Sequence, residues 1–432
     1  MNWKDVYKEK LTTADEAVKL IKSGNRVVMG IGAGVSATLN DAMIQNHKAY
    51  SDVEIVNILP IIKTDYLKHE MASHFHTNSL FVHNSSRKLV NDGIGDYTPC
   101  FLYQVPELWT GELPVDVAMI QVSSPDKHGY CSYGIGVDYT KPAADHAKIV
   151  IAHVNDQMPR THGDSFIHVS EMDCIVENSE PLLAPPPAPI GAVEEAIGKH
   201  CASLVEDGDC LQLGFGKIPD AVLSFLKDRK DLGIHTEMFS DGVVDLVNEG
   251  IINNSKKNFN PGKIVSAFLL GTKKLYDFVD DNPSVLMHPV TYTNDPYIAG
   301  QNDNLVTING CIQVDLLGQV ASDTMGSQQF SGVGGQVDFV RASAISKGGR
   351  SILAMPATAK GDTISRIVPF LDEGAAVTTS RQDVHYIVTE FGVANLKHKT
   401  LKDRARALIN IAHPNFHDEL KVAFKKRFKV DF

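Results

Sequence analysis

The sequence predicts an α/β protein made of two similarly folded domains with mainly parallel sheets. Three observations carry that expectation. Apolar strand-like runs alternate with amphipathic helical stretches, which favours crossover connections and parallel pairing. The two halves of the chain repeat each other. A proline-rich segment lies between them, PLLAPPPAPI at 181–190. Consecutive prolines continue neither a helix nor a central strand, so this segment reads as a stiff extended connector. It separates an N-terminal domain, 1–180, from a C-terminal domain, 191–432. A chain of 432 residues with 43 % hydrophobic content is too long for one ordinary core, which supports the division.

The repeat is read residue by residue. The first half contains ADEAVKLIKSGNRVVMGIGAGVSATLNDAM and the second VEEAIGKHCASLVEDGDCLQLGFGKIPDAVLSF. With Gly24 laid on Gly208, Gly30 falls on Gly214 and Gly32 on Gly216. Each copy then runs helix, turn, short buried strand, Gly-x-Gly loop, helix. DVEIVN at 52–57 lies over DLGIHT at 231–236, each an apolar strand. Further on, VAMIQVSSPDKHGYCSYG is matched to CIQVDLLGQVASDTMG, each a strand followed by a glycine turn.

Composition excludes several classes. A formal net charge of -11 does not draw the surface to nucleic acid. The basic cluster Lys425, Lys426, Arg427 and Lys429 reads as a solvated helix face. No apolar run reaches the ~18 residues of a membrane span. The charged opening MNWKDVYKEKLTTADEAV lacks the apolar segment and small-residue cleavage site of a secretory leader, so a cytoplasmic protein is expected. Cysteines 100, 131, 174, 201, 210 and 311 form no Cys-x-x-Cys pair, and neither a disulfide framework nor a zinc site is expected. His74 and His76 alternate on one strand face, but no third metal ligand is identifiable. His162 and His168 flank Asp164 without a nucleophile-elbow serine or cysteine, so a Ser/His/Asp triad is not supported.

Four segments carry candidate chemistry. GIGAG (30–34) and GFGKI (214–218) each follow an apolar strand and open a helix. Such turns let a ligand approach the backbone and offer N–H groups to an anion, or are simply tight connections. Neither has the glycine spacing of a dinucleotide fingerprint, which argues against a dehydrogenase. Glu237, in HTEMFSDGVVDL, falls at the C-terminal end of its strand, the edge where open α/β sheets bind ligands. The first copy has apolar Ile58 there, so the fold does not require the carboxylate. In QQFSGVGGQVDFV (328–340), the glycines at 332, 334 and 335 open the backbone beside what reads as an apolar strand. Successive glycine N–H groups can form an oxyanion site. In PATAKGD (356–362), Lys360 follows the strand SILAMPA and could meet a phosphate or carboxylate. Together these are the equipment for acyl transfer from a large anionic thiol carrier.

The segments SPDKHGYCSYG, MPRTHGDSFIHVS, LQLGFGKIPDAV, HTEMFSDGVVDLV, SGVGGQVDFVR and PATAKGDTISRIVP run across nearly the whole chain. In this order they resemble the class I coenzyme A-transferases, in the branch of the acetyl-CoA hydrolase/transferases, butyryl-CoA:acetate and 4-hydroxybutyrate CoA-transferases. The resemblance implies that Glu237 is the catalytic carboxylate. It implies that Gly214, Phe215, Gly216, Lys217, Ile218, Ile312, Gly335 and Lys360 bind coenzyme A. It implies that backbone amides at Gly335 and near Val35 serve an oxyanion. It further implies ping-pong transfer of coenzyme A through a glutamyl thioester. Coenzyme A would then be a substrate, with no tightly bound cofactor or metal. The other partners would be short carboxylates, 4-hydroxybutyrate, butyrate or acetate, and the chain would form a homodimer or homotetramer. An acyl-CoA hydrolase of the same family is the alternative, decided by whether water reaches the thioester. A non-catalytic coenzyme A sensor would have no use for Glu237.

Overall fold

The computed structural model describes residues 2–185, 189–214 and 216–432. The chain sorts into two compact units, residues 1–186 with 265–293, and residues 187–264 with 294–432. The first unit is therefore assembled from two stretches of chain. Of the proline-rich connector, Pro186, Pro187 and Ala188 lie outside the described residues. The part before them is fastened to the first unit, where Tyr276 Oη donates to the Leu183 carbonyl at 2.8 Å.

The first unit is built on a seven-stranded sheet in which every pairing is parallel. In spatial order the strands are Cys174–Glu177, Ile149–Val154, Val117–Val122, Arg26–Met29, Val53–Ile58, Phe75–Phe81 and Asp96–Tyr97. Val117–Val122 is buried at every position, as expected where both faces of a parallel sheet are covered. One face packs Val27, Met29, Ile55, Val117 and Ile151 against Leu39 and Met43 of the helix Ala37–Gln45.

The second unit has a six-stranded sheet. Its order is Gly233–Ile234, Cys210–Leu213, Leu305–Gly310, Arg350–Ala354, Tyr386–Thr389 and Gly392–Asn395, with only the last pair antiparallel. Helices Leu401–Asn410 and His417–Phe428 bury Leu408, Ile409, Leu420 and Phe424 in a cluster with Leu353 and Ile387.

The repeat is visible in the backbone. Gly24 and Gly208 have φ of 74° and 82°, and Gly32 and Gly216 have 52° and 113°. Asp52 and Asp231, aligned by the second match, are left-handed at 54° and 58°. The third match was out of register. The counterpart of Val117–Val122 is Leu305–Gly310, placed next to the first strand of its unit as Val117–Val122 is. The segment from Cys311 instead forms a short hairpin, Gln313–Asp315 with Val320–Ala321.

Strand order reverses in both units at the same place. In the first unit it reverses between Arg26–Met29 and Val117–Val122, and in the second between Cys210–Leu213 and Leu305–Gly310. Crevices at the carboxyl ends of such strands are where open α/β sheets bind ligands. The turns Gly30–Val35 and Gly214–Lys217 stand at those ends. Among the described residues no helix is long and apolar enough to cross a membrane.

Candidate active site

Glu237 sits just past the edge strand Gly233–Ile234 of the second unit. Three bonds to the backbone of the neighbouring strand fix the approach. His235 N–H donates to the Leu211 carbonyl at 3.1 Å, and the Thr236 hydroxyl both accepts from Leu213 N–H and meets its carbonyl, each at 3.1 Å. The chain then turns inward, and the Glu237 carboxylate meets two neutral donors. Asn294 Nδ2 donates to Oε2 at 2.9 Å, and the backbone N–H of Gly335 donates to the same carboxylate. Burial raises the Glu237 pKa from the ordinary carboxylate value to about 7, with Asn294 and Gly335 acting in the opposite direction. A carboxylate poised there is stripped of part of its water shell but still ionises near neutrality, as a nucleophile requires.

Gly335 is required by that contact. Its φ of -90° is ordinary, so any residue could adopt the backbone. A Cβ there would overlap Glu237 Oε2 and Asn294 Nδ2 outright. The glycine is thus a requirement of the site rather than of the turn. The segment after Gly335 departs from the sequence expectation. QVDFV is no strand but the start of the helix Gln336–Ile345. Its β-branched and aromatic residues read as a strand because this helix is buried nearly all round, Val337, Phe339, Val340 and Ala342 included, and so shows no polar face.

Asn294 was not singled out from the sequence. It is fully buried, and its Oδ1 has no hydrogen-bond partner. Sequence reading sees only Asn-Asp-Pro, a helix start, and Asp295 does cap the short helix Pro296–Ala299. A buried asparagine next to that cap leaves no periodic signal.

The other candidates divide. Gly214 N–H bonds the Ile308 carbonyl at 2.9 Å, which holds the turn at the reversal point. Gly216 takes a left-handed φ of 113° and starts the helix Lys217–Ser224, which has no side-chain cap. Lys217 and Ile218 form its first turn, whereas Phe215 lies outside the described residues. Ile312, two residues past the strand Leu305–Gly310, is half-buried, with its N–H on the Ala321 carbonyl at 2.9 Å. The reversal point thus brings the Gly214–Ile218 turn and Ile312 to neighbouring strand ends. Lys360 does not join the Glu237 cluster. It occupies the exposed turn of a small hairpin, Thr358–Ala359 with Ile364–Ser365, at a φ of 49°.

In the first unit, Val35 is buried, and its carbonyl accepts from Gln121 Nε2 at 3.2 Å. Ser36, which caps the helix Ala37–Gln45, lies 2.9 Å from His153 Nδ1. His153 Nε2 is 2.8 Å from the Asn178 carbonyl, which makes Nε2 the protonated nitrogen and Nδ1 the acceptor for the Ser36 hydroxyl. Burial lowers the His153 pKa and keeps this tautomer neutral. The other histidine candidates from the sequence make local contacts, His74 Nδ1 among them at 2.8 Å from the Tyr50 carbonyl. His76 Nε2 pairs with Asp96 at 2.8 Å, His162 Nε2 with Asp281 at 3.0 Å, and His168 caps a short turn. Among the described residues no group of three or more His, Cys, Asp or Glu could hold a metal ion.

Comparison with known proteins places this geometry. Residues 1–185 match the acetyl-CoA hydrolase/transferase N-terminal domain, and residues 271–424 match the C-terminal domain of the same family. The chain is 58 % identical to the 4-hydroxybutyrate coenzyme A transferase of Clostridium kluyveri, over 99 % of this chain and 100 % of that one. It is 46 % identical to the succinyl-CoA:cyclohexane-1-carboxylate CoA transferase of Geobacter metallireducens, over 98 % and 97 %. Among solved structures, RipA from Yersinia pestis superposes with a TM-score of 0.93 at 40 % identity, covering 100 % of both chains. A 4-hydroxybutyrate CoA-transferase from Porphyromonas gingivalis gives 0.87 at 43 % identity, covering 99 % of this chain and 100 % of that one. Both domains and the full-length relatives agree, and the chain belongs to the acetyl-CoA hydrolase/transferase branch of the coenzyme A-transferases.

Proposed function

We propose that this protein transfers coenzyme A between an acyl-CoA and a short carboxylate by ping-pong, with Glu237 as covalent carrier and 4-hydroxybutyrate as the favoured acid. The 58 % identical relative named for that acid supports the choice of substrate, with butyrate and acetate as further members of the class. The observation that carries the mechanism is the Glu237 carboxylate held by Asn294 and the Gly335 N–H.

Atoms and charge balance at each step. The Glu237 carboxylate attacks the thioester carbonyl and coenzyme A leaves as thiolate, giving a mixed anhydride. The thiolate attacks the glutamyl carbonyl of that anhydride and releases the first acid as carboxylate, leaving a glutamyl thioester. A second carboxylate attacks the thioester, the thiolate leaves again, and it then takes the new acyl group and frees Glu237. In the glutamyl half of this cycle, negative charge develops on a Glu237 oxygen. The donors that hold the resting carboxylate are therefore already aimed at that oxyanion, and one such donor is worth about 3 kcal/mol in comparable sites. Val35 N–H is the donor proposed for the acyl carbon. Gly214, Phe215, Gly216, Lys217, Ile218, Ile312 and Lys360 are proposed to bind coenzyme A, with a homodimer or homotetramer in the cytoplasm as the working form.

The test is chemical trapping. After incubation with acyl-CoA, borohydride reduces a glutamyl thioester to an alcohol, and peptide mass mapping should find that change at residue 237. An unmodified Glu237 in a fully active preparation rules the covalent route out.

A further inference from the structure

Gly335 carries the N–H that holds the nucleophile, yet the helix it starts has no side-chain cap. The next residue fixes that first turn. Gln336 is buried, and its carboxamide makes three bonds. Nε2 donates to the Gly310 carbonyl at 2.5 Å, while Oε1 accepts from the Ser322 hydroxyl at 2.8 Å and the Thr379 hydroxyl at 3.1 Å. Only one amide orientation satisfies all three, because a flipped group would set oxygen against the Gly310 carbonyl. Each partner is anchored in turn. Gly310 ends the central strand Leu305–Gly310, and Thr379 exchanges two backbone bonds with Val320, each of 3.1 Å. Ser322 N–H donates to Thr378 Oγ1 at 2.7 Å. A buried side chain with every polar atom satisfied at a helix start is a rigid fixture.

We propose that Gln336 is a positioning residue: its carboxamide ties the start of the helix Gln336–Ile345 to the strand end at Gly310, and so keeps the Gly335 N–H trained on the Glu237 carboxylate. This rests on the reading of Glu237 as the nucleophile. A displacement of the helix start weakens a bond to the ionised form of Glu237, which favours the protonated form. The influences on Glu237 are burial, Asn294 and the Gly335 N–H. The nearest titratable groups along its segment and the helix are His235, Asp241 and Asp338, and among the described residues none of them figures among those influences.

The experiment is the pH profile of kcat/KM for Gln336→Met, which keeps the volume and removes the bonds, with Ser322→Ala and Thr379→Val removing one bond each. Loss of a hydrogen bond to a carboxylate should move the acid limb of Gln336→Met up by about one pH unit. A residual loss should remain on the alkaline plateau, because the same N–H also serves the glutamyl oxyanion, so the displacement of the acid limb is the readout. The single-bond variants should shift in the same direction by less, and they carry the test if Gln336→Met does not fold. A loss equal at every pH, or an unmoved acid limb in all three, overturns the proposal. Glu237→Ala is assayed beside them. Residual transfer in that variant overturns the nucleophile reading itself, whereas an inactive Glu237→Ala with unshifted Gln336 profiles overturns only the positioning role.

Discussion

The two glycine turns occupy the same point of strand reversal in the two units, but they are held differently. In the first unit, side chains grip the turn Gly30–Val35 from several sides. Tyr139 Oη reaches the Met29 and Gly30 carbonyls at 2.9 and 3.2 Å, Gln121 reaches Val35, and Ser36 leans on His153. In the second unit, the Thr236 hydroxyl meets both the N–H and the carbonyl of Leu213 at 3.1 Å, Gly214 N–H bonds the Ile308 carbonyl at 2.9 Å, and the helix after Gly216 starts without a side-chain cap. The next strand diverges as well. Ile58 is buried, with its N–H on Tyr139 Oη at 3.0 Å, whereas its counterpart Glu237 presents a carboxylate. Both copies share a left-handed glycine at the reversal, Gly32 and Gly216. One copy buries an apolar side chain at this point, and the other places there a carboxylate met by the Asn294 amide.

Exchanging the residues that differ between the two copies should have the largest effects. Glu237→Ala should lose transfer by at least about 10⁴-fold, as removal of a covalent nucleophile does. Ile58→Glu should gain no activity and should lower the melting temperature, because its carboxylate would be buried without the donors that Glu237 has. Glu237→Asp withdraws the carboxylate by ~1 Å, which costs on the order of 10²-fold in transfer. It leaves room for a water that the carboxylate can activate as general base. Coenzyme A release with and without an acceptor acid separates these outcomes. Full transfer by the aspartate variant would remove Glu237 from the carrier role.

Gly335→Ala comes next. Its backbone is unstrained, so the melting temperature should barely move while kcat falls by about 10²-fold, since the methyl displaces the carboxylate. A large loss of stability with intact kcat would make the glycine a folding requirement.

The pH dependence sharpens the site further. With the Glu237 pKa near 7, kcat/KM should fall about tenfold per unit below pH 7 and level off above it, because only the ionised form attacks. Asn294→Ala removes a donor to that form, so its acid limb should move to higher pH. A limb that stays fixed would mean that another group titrates.

The smallest effects belong to binding and to the first turn. Lys360→Ala should raise KM for acyl-CoA several-fold with little change in kcat, as uniform binding implies. Ser36→Ala should instead lower kcat modestly, because it loosens the Val35 peptide. The reverse pattern in steady-state kinetics would exchange the two assignments.

Much of the fold was legible because certain positions tolerate few residues. Gly24, Gly32, Gly208 and Gly216 all have positive φ, and the paired left-handed Asp52 and Asp231 mark the same turn in both copies. Glu237 stood out because its counterpart is apolar. Where burial removes periodicity, the reading failed. The helix Gln336–Ile345 looked like a strand, and the central strand Leu305–Gly310 was passed over for the segment after it. Asn294 and Gln336 act through tertiary contacts to residues 57 and 26 positions away, which no local pattern encodes. The grouping of residues 265–293 with the first unit is likewise a matter of packing, not composition.

The unpartnered Oδ1 of Asn294 has a consequence for the resting enzyme. On the proposed route, carboxylate, anhydride and thioester would each turn a bare oxygen towards Asn294, and the Nδ2 donor would suit each of them. The protonated acid is the single state that turns a hydrogen outwards. Half a rotation of the amide would offer it Oδ1, so the same residue could accept from the acid as it donates to the carboxylate.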